Sequence, residues 1–143
     1  MLADGFRPDR WDVLGALRLV LGTRGAAELA VRVKALRGQK FINFEADIPT
    51  RVALDKIFRK HRVTVEQVMQ FDNIETVKRA VEIDSGVAIV PQETVNVEVA
   101  NQTLVAVPLE HGAYARTLGI IYKTDKVLSP AIKQFIALLK EPV

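Results

Sequence analysis

The sequence predicts an α/β fold, a three-layer-like sandwich around a mostly parallel sheet. Three observations predict it. Short apolar runs recur at residues 41–44, 67–71, 87–90, 104–107 and 118–122. Amphipathic stretches with the helical three-and-four spacing lie between several of them. The chain is 143 residues long with 49% hydrophobic and 26% charged residues, which is one domain's worth of ordinary globular composition. Strands that alternate with helices favour a largely parallel sheet whose faces carry the helices.

Taken in order, residues 9–21 (DRWDVLGALRLVL) read as a helix, because Trp11, Leu14, Leu17, Arg18 and Leu21 recur near the 3.6 period. Gly22 and Gly25 mark a break, and residues 26–36 suggest a second helix stopped by Gly38. Phe41-Ile42-Asn43-Phe44 is a strand. Pro49 and Thr50 then open a helix that runs to about His61, with Thr50 able to cap it and Val52, Leu54, Ile57 and Phe58 as its apolar side. Residues 67–71 form a strand, and Asp72 or Asn73 caps a helix with the stripe Ile74, Val77 and Val81, ended by Gly86. Val87-Ala88-Ile89-Val90 is continuous and apolar, as a strand buried on both faces would be, and Pro91 closes it. Residues 93–100 fit a strand or a helix equally. Residues 104–107 and 118–122 are strands, and Ser129-Pro130 starts a last helix that would bury Ile132, Phe135, Ile136 and Leu139.

The composition excludes several kinds of chemistry. Cysteine is absent, so there are no disulfides, thiolate metal sites or cysteine nucleophiles. No phosphate-loop, dinucleotide, nucleophile-elbow or zinc-protease pattern occurs. No cofactor or metal is expected, and no catalytic residue is assigned. His61 follows Arg59 and Lys60 at a helix end, where cations suit the dipole, and His111 falls in a turn; both read as surface residues. The carboxylate pairs Glu82/Asp84 and Asp72/Glu75 read as capping or solvated charges. No run is long enough to span a membrane, and residues 13–18 meet Arg18 too early for a signal peptide, so a cytoplasmic location is expected. The net charge of +3 is uneven. Residues 1–40 carry eight Lys/Arg against four Asp/Glu, whereas residues 41–143 carry twelve against thirteen. The basic residues of the first segment are spread out and read as a solvated face.

Candidate binding chemistry sits at two strand-to-helix junctions. At Pro49-Thr50-Arg51, backbone N–H groups, a hydroxyl and a guanidinium can together hold a carboxylate or a similar anion. At Asp72-Asn73-Ile74, the Asn73 amide can both donate and accept. On residue type alone, plain helix capping is the simpler explanation of each junction. In a parallel sheet both junctions should face one edge, the carboxyl ends of the strands.

The order of these pieces resembles the second half of the effector-binding region of LysR-type transcriptional regulators. Carrying the likeness are Leu36-Arg37-Gly38-Gln39-Lys40-Phe41-Ile42-Asn43-Phe44 with Ile48-Pro49-Thr50-Arg51, then Phe71-Asp72-Asn73-Ile74-Glu75-Thr76-Val77. Gly86-Val87-Ala88-Ile89-Val90-Pro91 follows, and then Leu118-Gly119-Ile120-Ile121-Tyr122 with Leu128-Ser129-Pro130-Ala131. About 100 residues are covered. The resemblance implies one lobe of a type 2 periplasmic-binding-protein-like fold at residues 37–110, a return segment at 115–140, and a small anionic or polar effector held weakly by Pro49, Thr50, Arg51, Asp72, Asn73 and Ile74, with Val90-Pro91 as a wall. It implies no counterpart of the first lobe or of the winged helix-turn-helix domain, and therefore a sensing or vestigial part of a regulator without specific DNA contact of its own. The corresponding division is 1–36, a helical segment of unclear origin, and 37–143. The family often has glycine where Asp84 and Gln102 stand; glycine suits left-handed backbone there, which Asp tolerates moderately and Gln poorly. Residues 9–36 are expected to cover the apolar return strand, or else the strand and the last helix pair with a second copy as a homodimer. The other reading is an interaction module that takes no ligand.

Overall fold

The computed structural model describes residues 6–22, 30–110, 115–123 and 125–140, with side-chain surroundings for 17–22, 30–110, 120–123 and 125–139. The chain forms two units, Met1–Leu14 with Thr117–Val143, and Gly15–Arg116. The first holds the start of strand β1 (Phe6–Gly22), most of strand β6 (Ala115–Lys123), which pairs with β1, and helix α4 (Pro130–Lys140).

Residues 9–21 are therefore a strand, not the helix their spacing suggests. Leu17, Leu19 and Val20 are all almost fully buried. A strand covered on both faces reads as a continuous apolar run, and such a run cannot be told from a buried helix by period alone. Pairing on two sides decides it. Leu17–Val20 run antiparallel to strand β4 (Ala88–Pro91), and Arg18–Gly22 run antiparallel to strand β5 (Leu104–Pro108). Of the expected second helix at 26–36, residues 30–36 hold the 3-10 turn Val33–Leu36 and no longer helix, and the remainder falls within residues 23–29, outside the described part. Val31 instead makes a parallel bridge to Leu109. His111 also lies outside the described residues.

The rest of the second unit follows the expected order. Strand β2 (Lys40–Phe44) leads into helix α1 (Pro49–His61), which returns the chain to strand β3 (Glu66–Phe71), parallel to β2. Helix α2 (Ile74–Glu82) carries it back past β2 to β4, which meets β2 in parallel at Phe41 and Val87. The ambiguous stretch is helical, as the 3-10 turn Gln92–Val95 and helix α3 (Asn96–Ala100), which packs on β5. Across the unit the strands thus run β3-β2-β4-β1-β5. Four of them point the same way, and β1 is the antiparallel member. The mostly parallel α/β expectation holds with that one insertion.

Because the chain steps from β2 to β3 and then back to β4, right-handed crossovers put α1 and α2 on opposite faces. Burial agrees. Phe41 and Ile42 are neighbours pointing to opposite faces of β2, and both are fully buried. Phe41 meets Phe58 of α1 edge to face, with ring centroids 5.3 Å apart. Leu54 of α1 and Val77 and Val81 of α2 complete the core. Arg62, Asp84 and Gln102 all adopt left-handed backbone (φ 54°, 58° and 58°). Asp84 and Gln102 are the two positions at which the resemblance anticipates glycine.

Candidate functional site at the carboxyl edge of the sheet

The ends of β2, β3 and β4 lie on one edge of the second unit. Phe44 is opposite Phe71, and the parallel bridge at Phe41 and Val87 brings Val90 level with Phe44. The connection leaving β2 goes to one side, to β3; the one leaving β4 goes to the other, to β5. Two neighbouring parallel strands whose connections diverge open a crevice outside their carboxyl ends. Glu45 to Arg51 and Val90-Pro91 border that crevice.

Pro49 is the first residue of α1, with Ile48 as the cap position, so Thr50 is inside the first turn and not the cap. Thr50 is buried. No side chain caps α1. Asn73, in contrast, caps α2 itself: its Oδ1 accepts from the Glu75 N–H at 2.7 Å. The two helix starts share an edge as expected, but α2 satisfies its own terminus while α1 lacks a side-chain cap. Asp72 and Asn73 are exposed, and Ile74 is half-buried. Pro91 is buried, and its carbonyl accepts from Thr94 Oγ1 at 2.7 Å, so it forms a floor to the crevice and not an open wall.

Arg51 is the charged centre of the junction. Its Nη1 donates to the Phe44 carbonyl at 2.8 Å and to Gln70 Oε1 at 3.4 Å, and its Nε meets Asp55 at 2.9 Å. The fork is thereby aimed, since Arg presents its donors in one plane. Beneath it lies a polar group that sequence reading missed. Asn43 is buried, donates Nδ2 to Gln67 Oε1 at 3.2 Å, and accepts from the Phe44 N–H at 3.0 Å. An amide in the middle of a buried strand was the available signal.

Of the carboxylates read as capping or solvated charges, Asp72 is exposed, while Glu75 and Glu82 make ion pairs with Lys78 and Arg79. Lys78, next to the stripe residue Val77, is buried; its Nζ lies 2.8 Å from Glu75 and 2.7 Å from Glu98, and it donates to the Thr94 carbonyl. Burial pulls the Lys78 ammonium down, but hydrogen bonds to Glu75 and Glu98 outweigh it and hold the group above its ordinary value. The Lys78 hydrogen bond in turn holds Glu98 below the ordinary carboxylate value, against burial. Glu82 accepts from Arg79 and from Thr103 Oγ1, both at 2.8 Å. Among the described residues no group of three or more His, Cys, Asp or Glu is placed to hold a metal.

The family model for the LysR substrate binding domain matches residues 10–142. The chain belongs to this family. The match extends through β1, a stretch the sequence resemblance left without a counterpart. The chain is 30% identical over 110 residues to the RuBisCO operon transcriptional regulator of Allochromatium vinosum, covering 77% of this chain and 36% of that protein. It is 26% identical over 105 residues to the HTH-type transcriptional regulator CbbR of Rhodospirillum rubrum, covering 73% and 35%. It thus spans about a third of the length of these curated relatives. Among solved structures, the Synechocystis PCC6803 CcmR regulatory domain in complex with 2-PG superimposes with a TM-score of 0.82 at 20% identity, over 98% of this chain and 68% of that one. The effector binding domain of QuiR in complex with shikimate gives 0.80 at 13%, over 98% and 67%. These likenesses establish the LysR effector-domain fold. No helix among the described residues is long and apolar enough to cross a membrane.

Proposed function

We propose that this chain is an effector-sensing part of a LysR-type regulator, and that residues 37–110 bind a small polar or anionic molecule at the β2–β4 crevice. The observation that carries the reading is the start of α1. It lacks a side-chain cap at a topological switch point, with the Arg51 fork held beside it by Phe44 and Asp55. Arg51 supplies the charge, the first turn of α1 supplies backbone donors, and the Asn73 amide completes the rim. The relatives are named as regulators, and we assign the chain neither catalysis nor base-specific DNA reading. A regulator works where the chromosome is, hence the cytoplasm.

Thermal unfolding with 10 mM shikimate and a panel of small carboxylates and phosphates tests this. A ligand with Kd near 1 mM contributes about 1.4 kcal/mol at that concentration, or roughly 4–6 °C for a domain of this size. Arg51→Gln should abolish the rise. Full retention of the rise in Arg51→Gln refutes the assignment.

A second reading, association without ligand, has its own support in α4. Ser129 caps that helix as expected, with Ile132 N 3.3 Å from its Oγ. The burial expected of it is not found: Ile132 and Ile136 are half-buried, while Phe135 and Leu139 are 59% and 45% exposed and Leu138 is 63% exposed. An apolar hollow of about 510 Å³ runs along this face, between residues such as Phe135 and Leu138. Under this reading a second copy covers it, as a homodimer would. Light scattering at increasing concentration separates the readings.

A further inference from the structure

The edge of the second unit opposite the crevice carries an unusual concentration of positive charge. Helix α1 runs back from the carboxyl edge, so its last turn reaches the end at which β2 and β3 begin. Arg59, Lys60 and Arg62 are all exposed there. The segment entering β2 brings four more exposed cations, Arg32, Lys34, Arg37 and Lys40. The two segments are joined directly. Arg37 Nη2 donates to the Arg62 carbonyl at 3.1 Å, the Gly38 N–H to the Thr64 carbonyl at 2.9 Å, and the Glu66 N–H to the Gln39 carbonyl at 2.9 Å. A hollow of about 290 Å³ between them is lined by Arg32, Val33, Lys34, His61 and Glu110. Among the described residues the nearby carboxylates are Glu66 and Glu110, with Glu82 and Asp84 at the end of α2 on the same edge beside the Gly86–Lys40 contact; Glu110 pairs with Arg32 at 2.8 Å. Among the described residues seven cations thus stand against four carboxylates, of which Glu82 is paired with Arg79 and Glu110 with Arg32.

A helix C-terminus explains cations in the last turn of α1. It does not explain four more on a separate segment folded against that turn. Segments 31–40 and 59–66 carry no exposed aromatic or large apolar side chain of the kind a protein interface uses at its centre. The large exposed apolar residues, Val52, Met69, Ile83, Val97 and others, all lie outside residues 31–40 and 59–66. Charge without apolar anchors, spread over a surface and not gathered in one enclosed pocket, suits a phosphate backbone.

We infer that this basic pole is a sequence-independent contact surface for the phosphate backbone of duplex DNA, on the side of the lobe away from the effector crevice. The relatives are transcription regulators, which puts DNA within reach, but the contact needs no base-reading helix.

Fluorescence anisotropy of the full chain with a labelled 20-base-pair duplex is the test. Binding at 50 mM salt is expected, with Kd on the order of 10–100 µM and a plot of log K against log salt with a slope of about −3 to −4, as for roughly four phosphates neutralised. A scrambled duplex should bind equally. Lys34→Gln/Lys40→Gln/Lys60→Gln should weaken binding more than tenfold and flatten the slope by about 3. Lys123→Gln/Lys126→Gln/Lys133→Gln, with the same change in net charge, should leave both unchanged. Equal loss in the two triple variants overturns the proposal, since net charge alone would then be responsible. Absence of duplex binding at 50 mM salt also overturns it, whether or not vesicles with anionic headgroups or a polyglutamate peptide bind. If the first triple variant fails to melt cooperatively, Lys34→Gln and Lys60→Gln singly should each lower the slope by about 1, and unchanged slopes overturn the proposal.

Discussion

Arg51 Nη1 donates to the carbonyl of Phe44 at 2.8 Å, tying the first turn of α1 to the last residue of β2. That bond joins the helix start and the strand end that border the crevice. Arg51→Ala should lose it together with the Asp55 contact, lowering stability by about 1–2 kcal/mol and removing the ligand response. Arg51→Lys keeps the charge but not the planar fork. It should restore part of the stability and less of the binding, as read from urea unfolding beside ligand titration.

Lys78 and Glu98 tie α2 to α3 across a buried contact. The Glu98 value is depressed by folding, so its contribution is present above the ordinary value of 4.5 and is lost as pH falls below it. The Lys78 value is raised, so its contribution is present below the ordinary 10.5 and is lost as pH rises past it. Stability should therefore hold between these limits and fall outside them. Glu98→Gln should flatten the acid limb. Lys78→Met should cost on the order of 2–4 kcal/mol by leaving a buried carboxylate unpaired, and the double variant should cost less than the two single costs together. Denaturant melts across pH measure all of this.

Gln102 holds φ at 58° without the freedom of glycine. Its left-handed backbone costs about 1–2 kcal/mol, part of which is offset because glycine would lose more entropy on folding. Gln102→Gly should stabilise the chain by about 0.5–1 kcal/mol. A lower melting temperature for this variant would contradict the strain argument.

Gly86 marks the close approach of the β4 entry to β2. A Cβ there would sit 2.7 Å from the Lys40 carbonyl oxygen, a backbone atom that cannot swing aside. Gly86→Ala should cost about 1–3 kcal/mol, seen as a lower denaturation midpoint with an unchanged slope.

The legible parts of the fold were those in which local pattern and tertiary role agree. Pro49 at a helix start, Asn73 as a cap, the stripe of Val77 and Val81, and the Ser129-Pro130 start all state locally what the fold does with them. Strand β1 was misread because Leu17 and Leu21 fit helical spacing, and only pairing with β4 and β5 decides between the alternatives. Of the candidate site, the Arg51 junction and the shared edge were legible from strand order. Lys78 was not, because its burial depends on Glu98, twenty residues away on another helix. The basic pole was hidden for the same reason: Arg37 and Arg62 are far apart in sequence and meet only through the return of α1.

The central claim is that a small polar or anionic effector sits at the β2–β4 crevice. Amide chemical-shift mapping during titration with shikimate and the panel of small carboxylates and phosphates tests it most directly. The account predicts that the largest shifts fall on Thr50, Arg51 and Asn73, with smaller ones at Val90. Saturating shifts confined to α4 or to the basic pole, with Thr50 and Arg51 unmoved, would contradict it.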